Sequence, residues 1–455
     1  MKRSPSRDVG GEPLAPEDLA ILRSESAAVA GHTLKIAILD PQEGAPRPDA
    51  EALRARVAER IEAIPRMRRK LRPGAGRRQP AAWVDDPDFD VRAHVRALPV
   101  AAPVTDAELR SIVAGAMEER LDRSRPLWTI DVLDQLEDGG VALIWKIHHS
   151  MADGATAMRF SEQLLWDAPA AAGAGGRTGT PEGGAPTHLG ELREALRARQ
   201  PGRLPGTLRR ELHRTRHPSP FDGDIGTTRV VAFASVPLPE LKRAAKTLVP
   251  AASVNDAVLA LVAGGLRSWA EARDSGLATV RVKVPVSLHH LARTEAANRD
   301  SLFVLAMPLD EPDPVERLRR INAETGLRKR AGDPLVLDTL LRDLGRVAPP
   351  LRRLVERLTL HPRAFALNVS NVVGPATRTS VLGAPVRALY SLAEIRERHG
   401  LRVAVVSMAD ELHFGLCADP AIVGDLDPFV IGILTEASVL TDRSRSASGS
   451  VATGT

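Results

Sequence analysis

The chain has 455 residues, 43% of them apolar and 3% aromatic, with a formal net charge of +5. It is long enough for two domains with large cores, filled by Leu, Val, Ile and Ala rather than by aromatics. A single cysteine, Cys417, excludes an internal disulfide and fits a reducing compartment; no stretch approaches the roughly 20 apolar residues of a bilayer-spanning helix. The first 18 residues are polar, without the apolar core of a secretion signal, so a cytoplasmic protein, soluble or peripheral, is expected. No nucleic-acid motif accompanies the charge, and no nucleic-acid partner is expected.

In chain order, Thr105 with Glu108 reads as a capping box opening a helix, whose apolar face is Leu109, Ile112, Val113, Ala116, Met117 and Leu121. Residues 128–133 and 141–147 read as antiparallel strands around a turn at Glu137, Asp138, Gly139 and Gly140. His148 to Gly154 spell HHxxxDG, and helical spacing resumes in 155–166. Residues 169–186, rich in Ala, Gly, Thr and Pro, read as a flexible linker. The arginine-rich stretch 189–216 carries leucines at helical spacing; it suits a solvated crossover helix or an anionic lipid surface. Ser253 with Asp256 caps a second helix with an apolar stripe from Val254 to Leu266. Val282, Val284, Val286 and Leu288 alternate with polar residues, and Pro285 predicts an edge or strand-end position. Residues 401–408 and 411–417 read as a hairpin around Ala409 and Asp410, with Cys417 as a packed thiol. The fold class is mixed α/β (α+β) in two halves: 1–168, a linker and crossover at 169–222, 223–440, and a disordered tail at 441–455.

HHxxxDG places two histidines where a strand gives way to a helix. A histidine there can take a proton near neutral pH, its unperturbed pKa being about 6.5. A metal site built from His148, His149 and Asp153 is disfavoured, because adjacent strand residues point to opposite faces. Purely structural histidines are the other plain alternative.

Other segments strengthen the chemical reading. Leu14, Ala15, Pro16, Glu17 and Asp18, then Pro65, Arg66, Met67 and Arg68, then Arg125, Pro126, Leu127 and Trp128 precede HHxxxDG. Ser253, Val254, Asn255 and Asp256, then 368–375 from Asn368 through Asn371 to Gly374 and Pro375, follow it. This ordered set resembles the bacterial wax ester synthase/diacylglycerol acyltransferases, members of the chloramphenicol-acetyltransferase-like enzymes, over about residues 14–440. Thr129 stands where that family often has an acidic residue, and Phe221, Asp222 and Gly223 match its polar turn only loosely.

The resemblance implies two chloramphenicol-acetyltransferase-like domains with the active site in a cleft or tunnel between them. It implies transfer of a long acyl chain from acyl-CoA, a co-substrate rather than a bound cofactor, to diacylglycerol or a fatty alcohol. Contact with a membrane or lipid-droplet surface goes with such acceptors. His149 is the expected general base, with His148 packing behind or orienting it. Asp153 would fix the base's tautomer or pair with an arginine, Arg125 being the candidate. Gly154 would let the helix start pack closely. Pro126, Leu127 and Trp128 start a strand and fill the core. Asn255, Asp256 and Asn371 are helix-cap or turn residues on their own chemistry, and cleft or oxyanion candidates through the resemblance. A condensation-type enzyme fed by a carrier protein, and a non-catalytic lipid binder, are the alternative readings.

Overall fold

The structure, a computed structural model, describes residues 11–74, 80–167, 213–215, 218–287, 300–331, 361, 363–396 and 398–452. The expected linker at 169–186 and nearly all of the basic stretch lie outside the described residues. The chain forms two compact units: 1–167 with 378–394, and 168–377 with 395–455.

The first unit begins with β1 (Glu12–Pro13), α1 (Pro16–Arg23), β2 (His32–Leu39), α2 (Ala50–Arg60), β3 (Arg69–Arg72) and β4 (Ala82–Asp85). It continues through α3 (Val91–His94), β5 (Val95–Ala97), α4 (Asp106–Glu118), β6 (Trp128–Leu133), β7 (Val141–His148) and α5 (Gly154–Leu164). The second unit holds β8 (Val230–Pro237), α6 (Leu238–Leu248), α7 (Val254–Glu271), β9 (Thr279–Ser287), β10 (Asp300–Pro308), α8 (Pro314–Ala331) and β11 (Leu367–Val373). β12 (Ser380–Val381) and β13 (Ala384–Ala393) belong to the first unit. β14 (Leu401–Met408), β15 (Glu411–Ala418), α9 (Pro420–Val423) and α10 (Asp427–Ala452) complete the second.

Among the described residues, the first unit's main sheet has the order β12-β13-β2-β7-β6-β5. β7 lies inside it, antiparallel to both β2 and β6, and all eight of its residues are buried. A strand covered on both faces needs a nearly continuous apolar run, which 141–147 supplies apart from Lys146. That lysine is tolerated because its ammonium donates to the Glu119 carbonyl at 2.8 Å and carboxylate at 2.9 Å. The C-terminal half expected at 223–440 therefore needs correction, because strands from 378–394 belong to the first unit and close this sheet. Asp167 anchors the returning hairpin: its carboxylate accepts from Ser380 Oγ at 2.7 Å, the Gly383 amide at 2.8 Å and Arg56 at 2.7 Å. Gly383, at φ +82°, makes the tight turn.

The second unit's sheet has the order β10-β9-β11-β14-β15-β8 among the described residues. One face packs on α7 through Val258, Leu261, Val262 and Leu266, all fully buried. The hairpin at 401–418 forms as expected, with Ala409 at φ +48° in its turn, and Cys417 is buried. Pro285 is not on an edge strand, since β9 lies between β10 and β11. β11 pairs with β9 at Val282 and Lys283, two residues before the proline, so the missing N–H falls past that pairing.

Two further expectations change. α4 ends at Glu118, leaving Leu121 outside the helix. The expected disordered tail is helical through Ala452. Arg443 pairs with Asp313 at 2.7 Å and Arg445 with Glu240 at 3.4 Å, while Ser444 is buried. Tertiary docking outweighs the weak intrinsic preference of a Ser-rich segment for helix.

Candidate active site

β7 carries the HHxxxDG motif to the end of the sheet, and the two histidines part there. His148 is buried, while His149 is half-buried. The His148 amide donates to the Leu127 carbonyl at 2.9 Å, so the Pro-Leu-Trp segment holds the motif from the β6 side. Trp128, fully buried, donates from its indole to the Met67 carbonyl at 2.7 Å and stacks on His94 at 4.4 Å.

His148 has its ring occupied on both sides. The Ser150 amide donates to Nδ1 at 3.2 Å, with the Ser150 hydroxyl at 2.7 Å from the same nitrogen. An accepting Nδ1 leaves the proton on Nε2, which donates to Glu25 at 3.1 Å. Glu25 also pairs with Arg123 at 2.6 Å and Arg120 at 3.3 Å. Burial opposes charge on Glu25, but hydrogen bonds from His148 and Arg123 outweigh it and hold the carboxyl below its usual range.

The motif then turns back: the Met151 and Ala152 amides both donate to the His148 carbonyl, at 2.9 and 3.2 Å. Asp153 caps α5, its carboxylate accepting the Thr156 amide at 2.6 Å, and Gly154 is the helix's first residue. Arg125, expected as a partner for Asp153, forms an ion pair with Asp122 at 3.5 Å. The field of Asp153 instead reaches Asp18, whose carboxyl is pushed up to about 6, chiefly by burial. Arg66 opposes that rise from 3.5 Å and pairs with Glu12 at 3.1 Å. The segments around Asp18 and Arg66 thus meet each other within reach of the motif's aspartate.

In the second unit, Asp256 is fully buried and heavily committed. It accepts from the Ser253 amide and hydroxyl, both at 2.8 Å, from Asn322 at 3.0 Å and from Thr325 at 2.6 Å. These bonds tie the start of α7 to α8 and make Asp256 a brace rather than an oxyanion donor. Asn255 is half-buried in the first turn of α7; Asn371 is half-buried in β11, paired with Val405 of β14.

The wax ester synthase/diacylglycerol acyltransferase catalytic domain matches residues 14–213, and the WS/DGAT C-terminal domain matches 296–437. The chain belongs to this family. A Mycobacterium tuberculosis protein named as a probable diacylglycerol O-acyltransferase is 29% identical over 419 residues, 88% of this chain and 90% of its own length. The wax ester synthase/diacylglycerol acyltransferase of Marinobacter aquaeolei VT8 shares the fold at a TM-score of 0.70 and 23% identity, over 95% of this chain and 100% of that one. The first condensation domain of the calcium-dependent antibiotic synthetase shares it more distantly, with a TM-score of 0.58, 14% identity and 96% of each chain covered. The protein is accordingly an acyl-CoA-dependent acyltransferase.

In this member of the family, three residues around the histidines carry no mark in the sequence. Glu25 is one. Gly31 and Glu394 are the others: the His149 amide donates to the Gly31 carbonyl at 2.8 Å, and Glu394 accepts from the amides of Ala30 and Gly31. Nothing in their local sequence marks them, since the contacts join segments more than a hundred residues apart. The sole local signal is Gly31 itself, a glycine directly before an apolar strand.

Proposed function

We propose that the enzyme transfers a long-chain acyl group from acyl-CoA to the hydroxyl of diacylglycerol or a fatty alcohol, with His149 as general base. The observation that carries this reading is the division of labour at the end of β7. His148 is buried with both ring nitrogens engaged, while its neighbour His149 is half-buried in an acyltransferase of this family.

His149 accepts the acceptor's hydroxyl proton as its oxygen attacks the thioester carbonyl. The new C–O bond forms a tetrahedral oxyanion. Its collapse breaks the C–S bond, and the protonated imidazole returns its proton to the departing CoA thiolate. The ring ends neutral, and no acyl-enzyme is formed. The tetrahedral oxyanion needs a hydrogen-bond donor, a role that a side-chain or backbone amide serves. Asp153 shapes the motif by capping α5.

Both acceptors partition into lipid, so the enzyme works peripherally at a membrane or droplet surface. No helix among the described residues is long and apolar enough to cross a membrane. Sedimentation with anionic liposomes is expected to weaken from low to high salt; equal binding to neutral vesicles at every salt concentration would remove the electrostatic part.

The activity is tested with purified protein, palmitoyl-CoA, and dioleoylglycerol or hexadecanol. The expected result is thiol release matched by triacylglycerol or wax ester. Thiol release without either neutral lipid would overturn the acceptor assignment.

A further inference from the structure

We propose that Glu394, the residue directly after β13, is a positioning residue for His149 and acts through the Ala30–Gly31 segment. The inference deepens the proposed function and rests on His149 being the base.

The ends of three strands lie side by side at one end of the first unit's sheet. β13, β2 and β7 are consecutive neighbours, with Ala393 paired to Thr33 and His32 paired to His148. Glu394 therefore arrives level with the residues that lead into β2. It is buried, 4% exposed, and its two carboxylate oxygens take one amide each, Oε1 from Ala30 and Oε2 from Gly31, the latter at 2.5 Å. A carboxylate accepting two backbone amides is a strong, directional clamp.

The clamped turn bears directly on both histidines. The Gly31 carbonyl accepts the His149 amide at 2.8 Å. On the other side, a Cβ placed on Gly31 would lie 2.5 Å from His148 Nε2, and Gly31 sits at φ +79°. The turn can be neither bulkier nor displaced toward the motif without moving His148. The chain of contact runs from Glu394 through two amides to Gly31, and from the Gly31 carbonyl to the backbone of His149. Displacing a catalytic group by about 1 Å can cost about a hundredfold in rate, so a clamp of this kind acts on turnover.

The contact also explains why 378–394 belongs to the unit that carries the motif. The returning hairpin delivers a carboxylate 245 positions after His149 to the turn that holds it.

The test uses the full-length enzyme with palmitoyl-CoA and dioleoylglycerol, and compares Glu394→Gln with Ser391→Ala and His149→Ala. Ser391→Ala removes a contact between the same two strands away from the turn, the 2.6 Å bond from Lys35. Glu394→Gln keeps the side-chain shape but sets an NH2 against one of the two amides. We expect it to lower kcat about ten- to a hundredfold while KM for palmitoyl-CoA stays within about twofold, the split of a positioning defect. Ser391→Ala is expected to lower the melting temperature with kcat near the parent's.

Parental kcat in Glu394→Gln would overturn the proposal. So would equal kcat losses in Glu394→Gln and Ser391→Ala, which would show general loosening. Should Glu394→Gln fail to fold, Gly31→Ala perturbs the same turn from the other side; it is expected to lose kcat likewise, and parental kcat there would overturn the proposal. A folded His149→Ala protein with near-parental turnover would sink the base assignment instead, whatever Glu394 does.

Discussion

Two helix starts in this molecule look alike in sequence and differ in what they hold. Both place an aspartate at the start of a helix, Asp153 at the N-cap of α5 and Asp256 in the first turn of α7. At α7, Asp256 accepts four hydrogen bonds, two from Ser253 and one each from Asn322 and Thr325 of α8. At α5, Asp153 accepts the Thr156 amide, and the turn before it presents a half-buried histidine. An Asp at a helix N-terminus is thus a weak guide to chemistry. Whether its bonds brace a neighbouring helix, or cap a helix behind a turn that leaves one histidine half-buried, separates the two.

The largest stability effect should fall on the bracing aspartate. Asp256→Ala removes the shared acceptor of Asn322, Thr325 and the Ser253 amide, and is expected to cost about 3 kcal/mol in unfolding of the second unit. Urea denaturation measures it. A loss below about 1 kcal/mol would mean that the α7–α8 bonds are dispensable.

Acid should affect both units through buried neutral histidines. Burial lowers His32 of the first unit to about 3 and His413 of the second to about 4, from the ordinary histidine value of 6.5. A lowered folded-state value means that the unfolded chain binds more protons below about 6.5. Stability is therefore full above that pH and is lost as pH falls toward 4 and 3. Asp18, raised to about 6 from 3.8, has the opposite sign: its contribution is present below 3.8 and lost as pH rises through 6. It offsets part of the acid loss in the first unit. Melting temperature is expected to fall by ~5 °C or more between pH 7 and pH 5. A flat profile would contradict the burial of these rings as neutral bases.

The smallest effect belongs to the α5 cap. Asp153→Ala is expected to cost about 1 kcal/mol, and Asp153→Asn less, because asparagine caps as well as aspartate. Equal, large losses in both would show that the charge of Asp153 outweighs its cap.

Much of this site was legible in the sequence because it is local. An apolar strand, two histidines, a capping aspartate and a helix fall within about thirty residues, and β6, β7 and the 401–418 hairpin formed where alternation and turn residues placed them. The capping boxes at Thr105 and Ser253 were legible for the same reason. What escaped is long-range. Glu394, Glu25 and Gly31 reach the histidines only through sheet pairing and loop packing, and surface-type glutamates give no sign that they will be buried. The return of β13 to the first sheet escaped because cross-strand partners leave no trace in spacing. The helical end of α10 escaped because Ser446 and Ser448 satisfy their hydroxyls on carbonyls four residues back, at 3.1 and 3.0 Å, on a helix already docked.

The central claim is that His149, and not the buried His148 beside it, takes the acceptor's proton. The direct measurement is kcat of His149→Ala with palmitoyl-CoA and dioleoylglycerol, on protein whose melting temperature matches the parent's. A fall of about two to four powers of ten is expected, the usual worth of a positioned general base. Turnover within a few-fold of the parent, in a folded protein, would contradict the account.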